Sequence, residues 1–233
     1  MLLKGLLGSQ MSGAVGGLVA SRNRSGPYFR SRAIPVNPNT SFQQEVRSAL
    51  SQLSARWSGV LTQLQRDAWD SYALNVPLTN RVGDPVNVGG IGMYQRCNVP
   101  LLQTGQAGGL IIDTAPTVFN LGEYTAPQIV DVSEATQQVT IAFDNTDAWA
   151  NEDDSDMLIF VSRPRNPSVN YFKGPYRYSG AIEGDSTVPP TSPQTLNVTF
   201  PVLIGQKVFV RAAVLRADGR YSADFRGEDV TST

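Results

Sequence analysis

The strongest constraint on the fold is a change of hydrophobic period near Pro127. From there on, apolar and polar residues alternate in steps of two, as in "QQVTIAF", where Val139, Ile141 and Phe143 share one face. Similar segments follow: "DMLIFVSRP", "NYFKGPYRYSGAI", "QTLNVTFP" and "KVFVRAAVLRADGRYSADFRG". About seven short strands in roughly a hundred residues, separated by turn residues, indicate an antiparallel β-sandwich over residues 127–233.

The last segment predicts the closing hairpin of this sandwich. Asp218-Gly219 is typical of a type I′ turn between two strands, and Arg211 is predicted to point outward. The core-facing positions of the first strand are Val208, Val210, Ala212 and Val214. "KVFVRAAVLRADGRYS" resembles the closing hairpin of fibronectin type III modules, and this resemblance implies a fibronectin III-like or immunoglobulin-like sandwich.

Residues 41–126 have helical spacing followed by a loop-rich stretch. Apolar positions predict two short helices over residues 41–58 and 63–75, with Thr62 and Gln65 placed as a capping box before the second. A third short helix is predicted over residues 90–103. The second helix carries Arg66 as its only cation, too few for a helix that reads DNA, so an antiparallel helical pair is the interpretation.

Residues 1–40 form a glycine-rich and arginine-rich segment. Its second half, residues 19–40, is "VASRNRSGPYFRSRAIPVNPNT". We call it the basic arm. Its glycines disfavour a helix, and they also interrupt the apolar run that a secretory signal would need. The sequence predicts an extended arm that becomes ordered on a neighbouring subunit through four arginines: Arg22, Arg24, Arg30 and Arg32.

The charge of the chain is unevenly distributed, although its formal net charge is only -1. Residues 1–60 carry seven cations against Glu45 alone, whereas residues 113–162 carry ten carboxylates and no lysine or arginine. A basic head and an acidic middle favour contact between them, within one subunit or between subunits. Ordinary solvated surface is the alternative interpretation.

The side-chain inventory argues against catalysis. There is no histidine, the commonest general base, and Cys97 is the single cysteine, so neither an internal disulfide nor a thiolate zinc site is possible. We expect Cys97 to be a small buried residue, and we expect no cofactor and no resident metal. A hydrolase that uses two carboxylates is the least favoured hypothesis.

Two further segments are candidate binding sites. The acidic loop, "DNTDAWANEDDSD" at residues 144–156, offers hard oxygen ligands for Ca²⁺ but departs from the EF-hand register, so a surface loop is the default interpretation. The segment "NYFKGPYRYSG" combines aromatic and basic residues and is a candidate recognition surface for glycans or bases. Its aromatic residues are Tyr171, Phe172, Tyr176 and Tyr178.

The first third of the chain resembles a particular kind of protein. Gly16-Gly17, then Ser21-Arg22, then Asn37-Pro38 with Thr40 and Gln43 opening a helix, is similar to the start of uncharacterised bacteriophage and prophage virion proteins. The resemblance spans roughly residues 13–75. It implies a part of the virion, with capsid, decoration, tail and adaptor roles all left open.

Together these features predict an α+β, mainly β protein in three segments: arm 1–40, helices and loops 41–126, and sandwich 127–233. The predicted function is a non-enzymatic structural protein of a phage particle, located in the virion, whose partners are further copies and other virion proteins. Nucleic acid binding by the arm is a less favoured possibility, and no membrane association is expected. The alternative is a surface-binding module that recognises glycan or host protein.

Overall fold

The computed structural model describes residues 12–23, 26–34, 36–80, 83–105, 110–172 and 174–232. The chain divides into two compact units, Met1–Ser41 and Phe42–Thr233.

The first unit contains a three-stranded antiparallel sheet where the sequence predicts an extended arm. Its strands are β1 (Gly13–Val15), β2 (Leu18–Asn23) and β3 (Gly26–Ser31), in that spatial order. The sequence analysis predicts an extended arm here, and the structure pairs the strands of this stretch into a sheet, which we call the N-terminal meander. Val15 pairs with Leu18 across a Gly16-Gly17 turn, and Gly16 has a φ of 58°. Two-residue glycine turns favour hairpins, and the sequence analysis missed this signal.

The N-terminal meander has no core of its own. Among the side chains described between Ser12 and Thr40, none is buried; the most shielded, such as Val19 and Phe29, are half-buried. A small sheet needs a covered hydrophobic face to be stable in water. The meander consequently has pairing but no packing within the residues that the structure describes.

The second unit contains three helices close to the predicted ranges: α1 (Ser41–Gly59), α2 (Gln63–Asn75) and α3 (Gly89–Thr104). The predicted capping box starts α2: the Thr62 backbone N–H donates to Gln65 Oε1 at 2.9 Å, and the Gln65 N–H donates to Thr62 Oγ1 at 3.3 Å. These bonds satisfy donors that the first helical turn leaves free. The predictions of all three helices are confirmed.

The helices share an aromatic core. Trp69, Tyr72 and Tyr94 are fully buried, and the Trp69 indole N–H donates to the Asp113 carbonyl at 2.9 Å. The Asp113 carboxylate accepts two hydrogen bonds from the Arg56 guanidinium, at 2.7 and 2.6 Å, which hold the pKa of Asp113 below its usual range. This bidentate pair fixes α1 to the segment that follows α3.

Nine short strands, counted over the described residues, complete the second unit. β4 (Leu78–Thr79) and β5 (Pro85–Val86) form a two-stranded ribbon. The other seven form one antiparallel sheet in the order β10-β7-β6 and another in the order β12-β11-β8-β9. Their bounds are β6 (Gln128–Ser133), β7 (Gln138–Ala142), β8 (Asp156–Ser162), β9 (Tyr176–Glu183), β10 (Gln194–Asn197), β11 (Lys207–Leu215) and β12 (Phe225–Val230).

The inner faces of the two sheets share a hydrophobic core. Val139 and Ile141 of β7 belong to the same buried cluster as Ile159 of β8. The predicted inward positions of β11 are confirmed, since all four are buried in this cluster: Val208, Val210, Ala212 and Val214.

The outer face of the four-stranded sheet packs against the helices. Leu158 of β8 and Ala213 of β11 are buried in the same cluster as Trp69 and Met93. The central strands β8 and β11 are therefore buried on both faces at this end. The helices and the sheets belong to one compact unit. The sequence analysis instead predicts a segment boundary between residues 126 and 127.

The turn after β11 differs from the predicted type I′ turn. The Gly219 N–H donates to the Arg216 carbonyl at 2.9 Å, and Gly219 has a φ of 91° while Asp218 is not in the positive-φ region. A type I′ turn requires positive φ at both central residues, so that prediction is wrong. The Asp218 carboxylate instead accepts a hydrogen bond from the Arg220 side chain at 2.7 Å.

Candidate functional site

A row of four side chains crosses the outer face of the four-stranded sheet. Strand register pairs Tyr178 with Phe160, Phe160 with Arg211, and Arg211 with Arg226, in β9, β8, β11 and β12. We call these four residues the arginine–aromatic row. Paired positions lie on the same face of a sheet, so the four side chains are neighbours. The row lies two residues along the strands from the positions that the helices cover, such as Leu158 and Ala213.

The guanidinium of Arg211 is stacked on aromatic rings. Its central carbon lies 4.0 Å from the ring centroid of Phe160 and 6.0 Å from that of Tyr176. A cation over an aromatic face is stabilised by about 0.5–2 kcal/mol, more when it is shielded from water. Stacking therefore holds Arg211 in a fixed direction without using its N–H donors.

Two arginines of the row share one carboxylate. Asp224 lies 3.6 Å from Arg211 Nη1 and 3.8 Å from Arg226 Nη2, so both contacts are ion pairs too long for hydrogen bonds. Within the described residues, Arg211 Nε is buried and has no hydrogen-bond partner. Two guanidiniums against one carboxylate leave an excess positive charge and free N–H donors at this place.

Clefts open on both sides of the row. One of about 340 Å³ lies beside α1 and α3, and its lining includes Leu50, Arg96, Phe160, Arg211 and Tyr221. The other, of about 200 Å³, is lined by residues that include Tyr171, Phe172, Tyr176, Phe209 and Arg226. Arg211 faces the first cleft and Arg226 the second. Each has room for a few side-chain-sized groups.

The structure brings together three of the four predicted recognition aromatics, because Tyr171, Phe172 and Tyr176 all line the smaller cleft. The rings of Phe172 and Tyr176 are 5.5 Å apart, and the Tyr176 hydroxyl donates to the Phe172 carbonyl at 2.9 Å. Tyr178 packs on Phe160 at 5.7 Å, and burial raises the pKa of Tyr176. Tyr171 differs, because 72% of its surface is exposed at the rim of the smaller cleft. The cluster is therefore half-buried, with one open ring.

The arginines of the basic arm do not form one cluster. Arg22 pairs with Pro27 and Arg30 pairs with Val19, which places the two arginines on opposite faces of the β2–β3 pair. Arg22, Arg30 and Arg32 are exposed. Arg24 lies outside the described residues. The arm therefore presents positive charge in two directions.

Several carboxylates of the acidic loop are used within the protein itself. Asp144 accepts the Thr146 N–H at 2.8 Å, Asp147 accepts the Thr125 N–H at 2.7 Å, and Asp153 accepts the Ser186 N–H at 2.7 Å. Hydrogen bonds from Thr146 lower the pKa of Asp144. Over the part of the chain that the structure describes, no three acidic, histidine or cysteine side chains are grouped so that they could hold a metal ion. The Ca²⁺ alternative thus has no cluster to support it.

The single thiol is unsuited to nucleophilic chemistry. Cys97 is buried among the helices, as the sequence predicts, and burial raises the pKa of its thiol to about 12. Only the thiolate is reactive, so Cys97 is a packing residue.

Comparisons with known proteins add no family. No protein-family model matches this chain, and no curated protein is significantly similar to it. None of the helices in the described ranges is long and apolar enough to cross a membrane.

Sequence reasoning missed most of the arginine–aromatic row. It placed Arg211 outward but assigned no role to Phe160, Arg211 or Arg226. Phe160 and Arg226 lie 66 residues apart in the sequence. They belong to one row only because each of them pairs with Arg211. The alternation in "KVFVRAAVL" was the one available signal, because it puts a charge, Arg211, in the middle of a run of core residues.

Proposed function

We propose that this protein is a structural protein of a phage particle, which assembles with neighbouring subunits through its basic arm. The observation that carries the proposal is the N-terminal meander, whose strands are paired while none of its described side chains is buried. Ordering a residue costs about 1–2 kcal/mol of conformational entropy. Contacts with another subunit are a natural source of the packing that would offset this cost.

The surface of the arm also favours a protein partner. Ile34 and Val36 are 78% and 89% exposed directly after the meander, and Leu18 is 54% exposed. Exposed apolar residues and exposed arginines occur together in this segment, a composition found at protein interfaces, where arginine is enriched. A surface built only for nucleic acid would be dominated by cations, so nucleic acid is the less favoured partner.

We further propose that the seven strands β6–β12 form a fibronectin type III-like sandwich. In an immunoglobulin constant-type sandwich, the fourth strand joins the sheet of the first, second and fifth. Here the fourth strand, β9, pairs with β8 in the four-stranded sheet. This arrangement favours the fibronectin type over the immunoglobulin type. Such sandwiches serve many functions, so the fold alone does not identify a role in the particle.

The assembly role is tested by comparing the full chain with a chain that lacks residues 1–38. We expect light scattering and electron microscopy to show regular assemblies for the full chain and folded monomers for the shortened one. A full-length variant with Arg22→Glu, Arg30→Glu and Arg32→Glu keeps the meander but reverses its charge, and we expect it to assemble more weakly. Asp67→Arg at an exposed position of α2 is the charge-reversal control and should behave as the unaltered chain.

The same experiment can contradict the proposal. If full and shortened chains are both monodisperse monomers, assembly through the arm is excluded. If the shortened chain assembles as well as the full chain, the meander has no part in the subunit contact.

A surface-binding module is the second candidate, and the open ring of Tyr171 at the smaller cleft favours it. An exposed ring beside a cleft is able to stack on a sugar. If this function is right, a glycan array should show binding that Tyr176→Ala weakens about fivefold or more, because a lost aromatic contact at a binding site costs about 1 kcal/mol or more. An array without signal for the unaltered chain would exclude glycan recognition.

A further inference from the structure

We propose that the arginine–aromatic row is a docking site for the acidic loop of a second copy of this chain. The inference rests on the proposed role in assembly and adds a second subunit contact, separate from the basic arm. It starts from Arg211 and Arg226, which share the single carboxylate of Asp224 at 3.6 and 3.8 Å.

The row is prepared to receive a carboxylate. Arg211 is held by stacking 4.0 Å from the centroid of Phe160, and its buried Nε lacks a hydrogen-bond partner among the described residues. Guanidinium forks bind carboxylates with two parallel hydrogen bonds, which neither Arg211 nor Arg226 has with Asp224. The excess charge therefore selects an anion.

The chain carries a complementary anion in the acidic loop. Asp153 and Asp154 are exposed at its end, directly before β8. Asp153 is hydrogen-bonded to Ser186, whereas no described group donates a hydrogen bond to Asp154 or forms an ion pair with it. Glu183 is also exposed. It lies close to this end of the loop because it pairs with Asp156 at the start of β8. Asp154 is the carboxylate of this loop best placed to enter a neighbour.

The loop and the row of one copy lie apart along the same sheet. Phe160 follows Asp156 by four residues in β8, which corresponds to about 13 Å along the strand. Arg226 pairs with Asp224, not with Asp154, in the folded chain. A contact between loop and row consequently joins two copies through different surfaces. Such head-to-tail contacts produce rings or filaments, the geometries from which particle parts are built.

The test reverses charge on each side in the full chain. Arg226→Glu is chosen because 47% of the Arg226 side chain is exposed, and Asp154→Arg alters the exposed loop. We expect each variant alone to weaken self-association, measured by sedimentation velocity, by about tenfold or more. Asp67→Arg reverses an exposed charge on α2, away from both surfaces, and should leave self-association unchanged. Thermal melting checks that every variant is folded.

Mixing the two variants provides the decisive measurement. In an equimolar mixture, the unaltered loop of one variant meets the unaltered row of the other, and the two reversed surfaces also attract each other. We expect the mixture, and the double variant in a single chain, to recover the association of the unaltered protein. Recovery in the mixture is not explained by a fault in folding.

Three outcomes would overturn the inference. Association unchanged in both single variants would exclude this contact. Weakening by Arg226→Glu but not by Asp154→Arg would mean that the row binds a different acidic surface of the second copy. Weakening by both without recovery in the mixture would show that the two surfaces do not meet each other.

The basic arm is assessed separately in the same assay. Self-association is measured for the full chain carrying Arg22→Glu, Arg30→Glu and Arg32→Glu, alone and combined with Arg226→Glu or Asp154→Arg. If arm reversal weakens association and the loop and row reversals do not, the proposed function stands and this inference fails. If only the loop and row reversals act, the contact stands and the role of the arm fails.

Discussion

Gly184→Ala is expected to lower the free energy of unfolding by about 3 kcal/mol or more. A Cβ atom at this position would lie 2.2 Å from the Trp149 carbonyl oxygen, 2.7 Å from that of Glu152 and 3.1 Å from that of Ser155. All three atoms are backbone, so no rotation of a flexible side chain relieves the clash. The Gly184 N–H also donates to the Ser155 carbonyl at 2.7 Å, which fixes the two segments at close approach.

Gly59→Ala is the matched control for this prediction. A Cβ atom at Gly59 meets nothing within 4 Å, and the residue ends α1, where alanine is the better helix former. Chemical denaturation should therefore show unchanged or slightly raised stability for Gly59→Ala beside a large loss for Gly184→Ala. Equal effects in the two variants would contradict the packing around Gly184. A large loss also predicts that the acidic loop, which wraps around Gly184, loses its fixed conformation.

The sequence predicts one face of each strand well. In β11, alternation correctly assigns Val208, Val210 and Val214 to the core between the sheets, because hydrophobic burial has a period of two there. The other face of the same strand is also covered, since Phe209 and Ala213 are buried. Alternation is a signal for burial on a single side, so it carried no information about the second layer.

The helices show the same limit. Their ranges followed from the hydrophobic period and from the capping box of Thr62 and Gln65, which are local properties of the chain. Their position on the four-stranded sheet depends on contacts such as Leu158 with the cluster around Trp69, at large separation in sequence. The Gly16-Gly17 turn of the N-terminal meander was different, because it was a local signal available in the sequence. Its arginine-rich surroundings directed the interpretation towards an extended segment.

The candidate site was predictable only in part. The aromatic segment at residues 171–178 was identified by composition, and its Tyr178 belongs to the arginine–aromatic row. Arg211 and Arg226 join the row through the register of β11 with β8 and β12. Register is set by the packing of whole sheets, so a single sequence does not show that an arginine of one strand faces an aromatic ring of another.

Asp156→Asn is expected to raise the free energy of unfolding by about 2–3 kcal/mol at pH 8. Only 3% of Asp156 is exposed, and burial together with the nearby charges of Glu183 and Asp154 raises its pKa to about 6. No cation among the described residues forms an ion pair with it. Because each unit of pKa corresponds to about 1.4 kcal/mol, a rise from about 4 to about 6 gives the expected gain.

The gain should depend on pH in a defined direction. A carboxyl whose pKa is higher in the folded state keeps its proton longer there than in the unfolded chain. Below about pH 4, Asp156 is protonated in both states and costs nothing. Between about pH 4 and pH 6 the unfolded chain loses the proton first, so the stability contributed by this group falls as pH rises, and above pH 6 the penalty is constant. The asparagine variant avoids the penalty throughout.

Asp185→Asn provides a control of opposite sign. Asp185 accepts the N–H groups of Thr187 and Val188 at 2.6 and 2.8 Å, and these bonds lower its pKa. Its loss should therefore lower stability above pH 4, whereas Asp156→Asn should raise it. A stability gain for Asp156→Asn that persisted undiminished at pH 3.5 would mean that packing, not charge, is responsible. The expected pH dependence would instead show that the buried Asp156 carboxylate is kept at a cost to the stability of the fold.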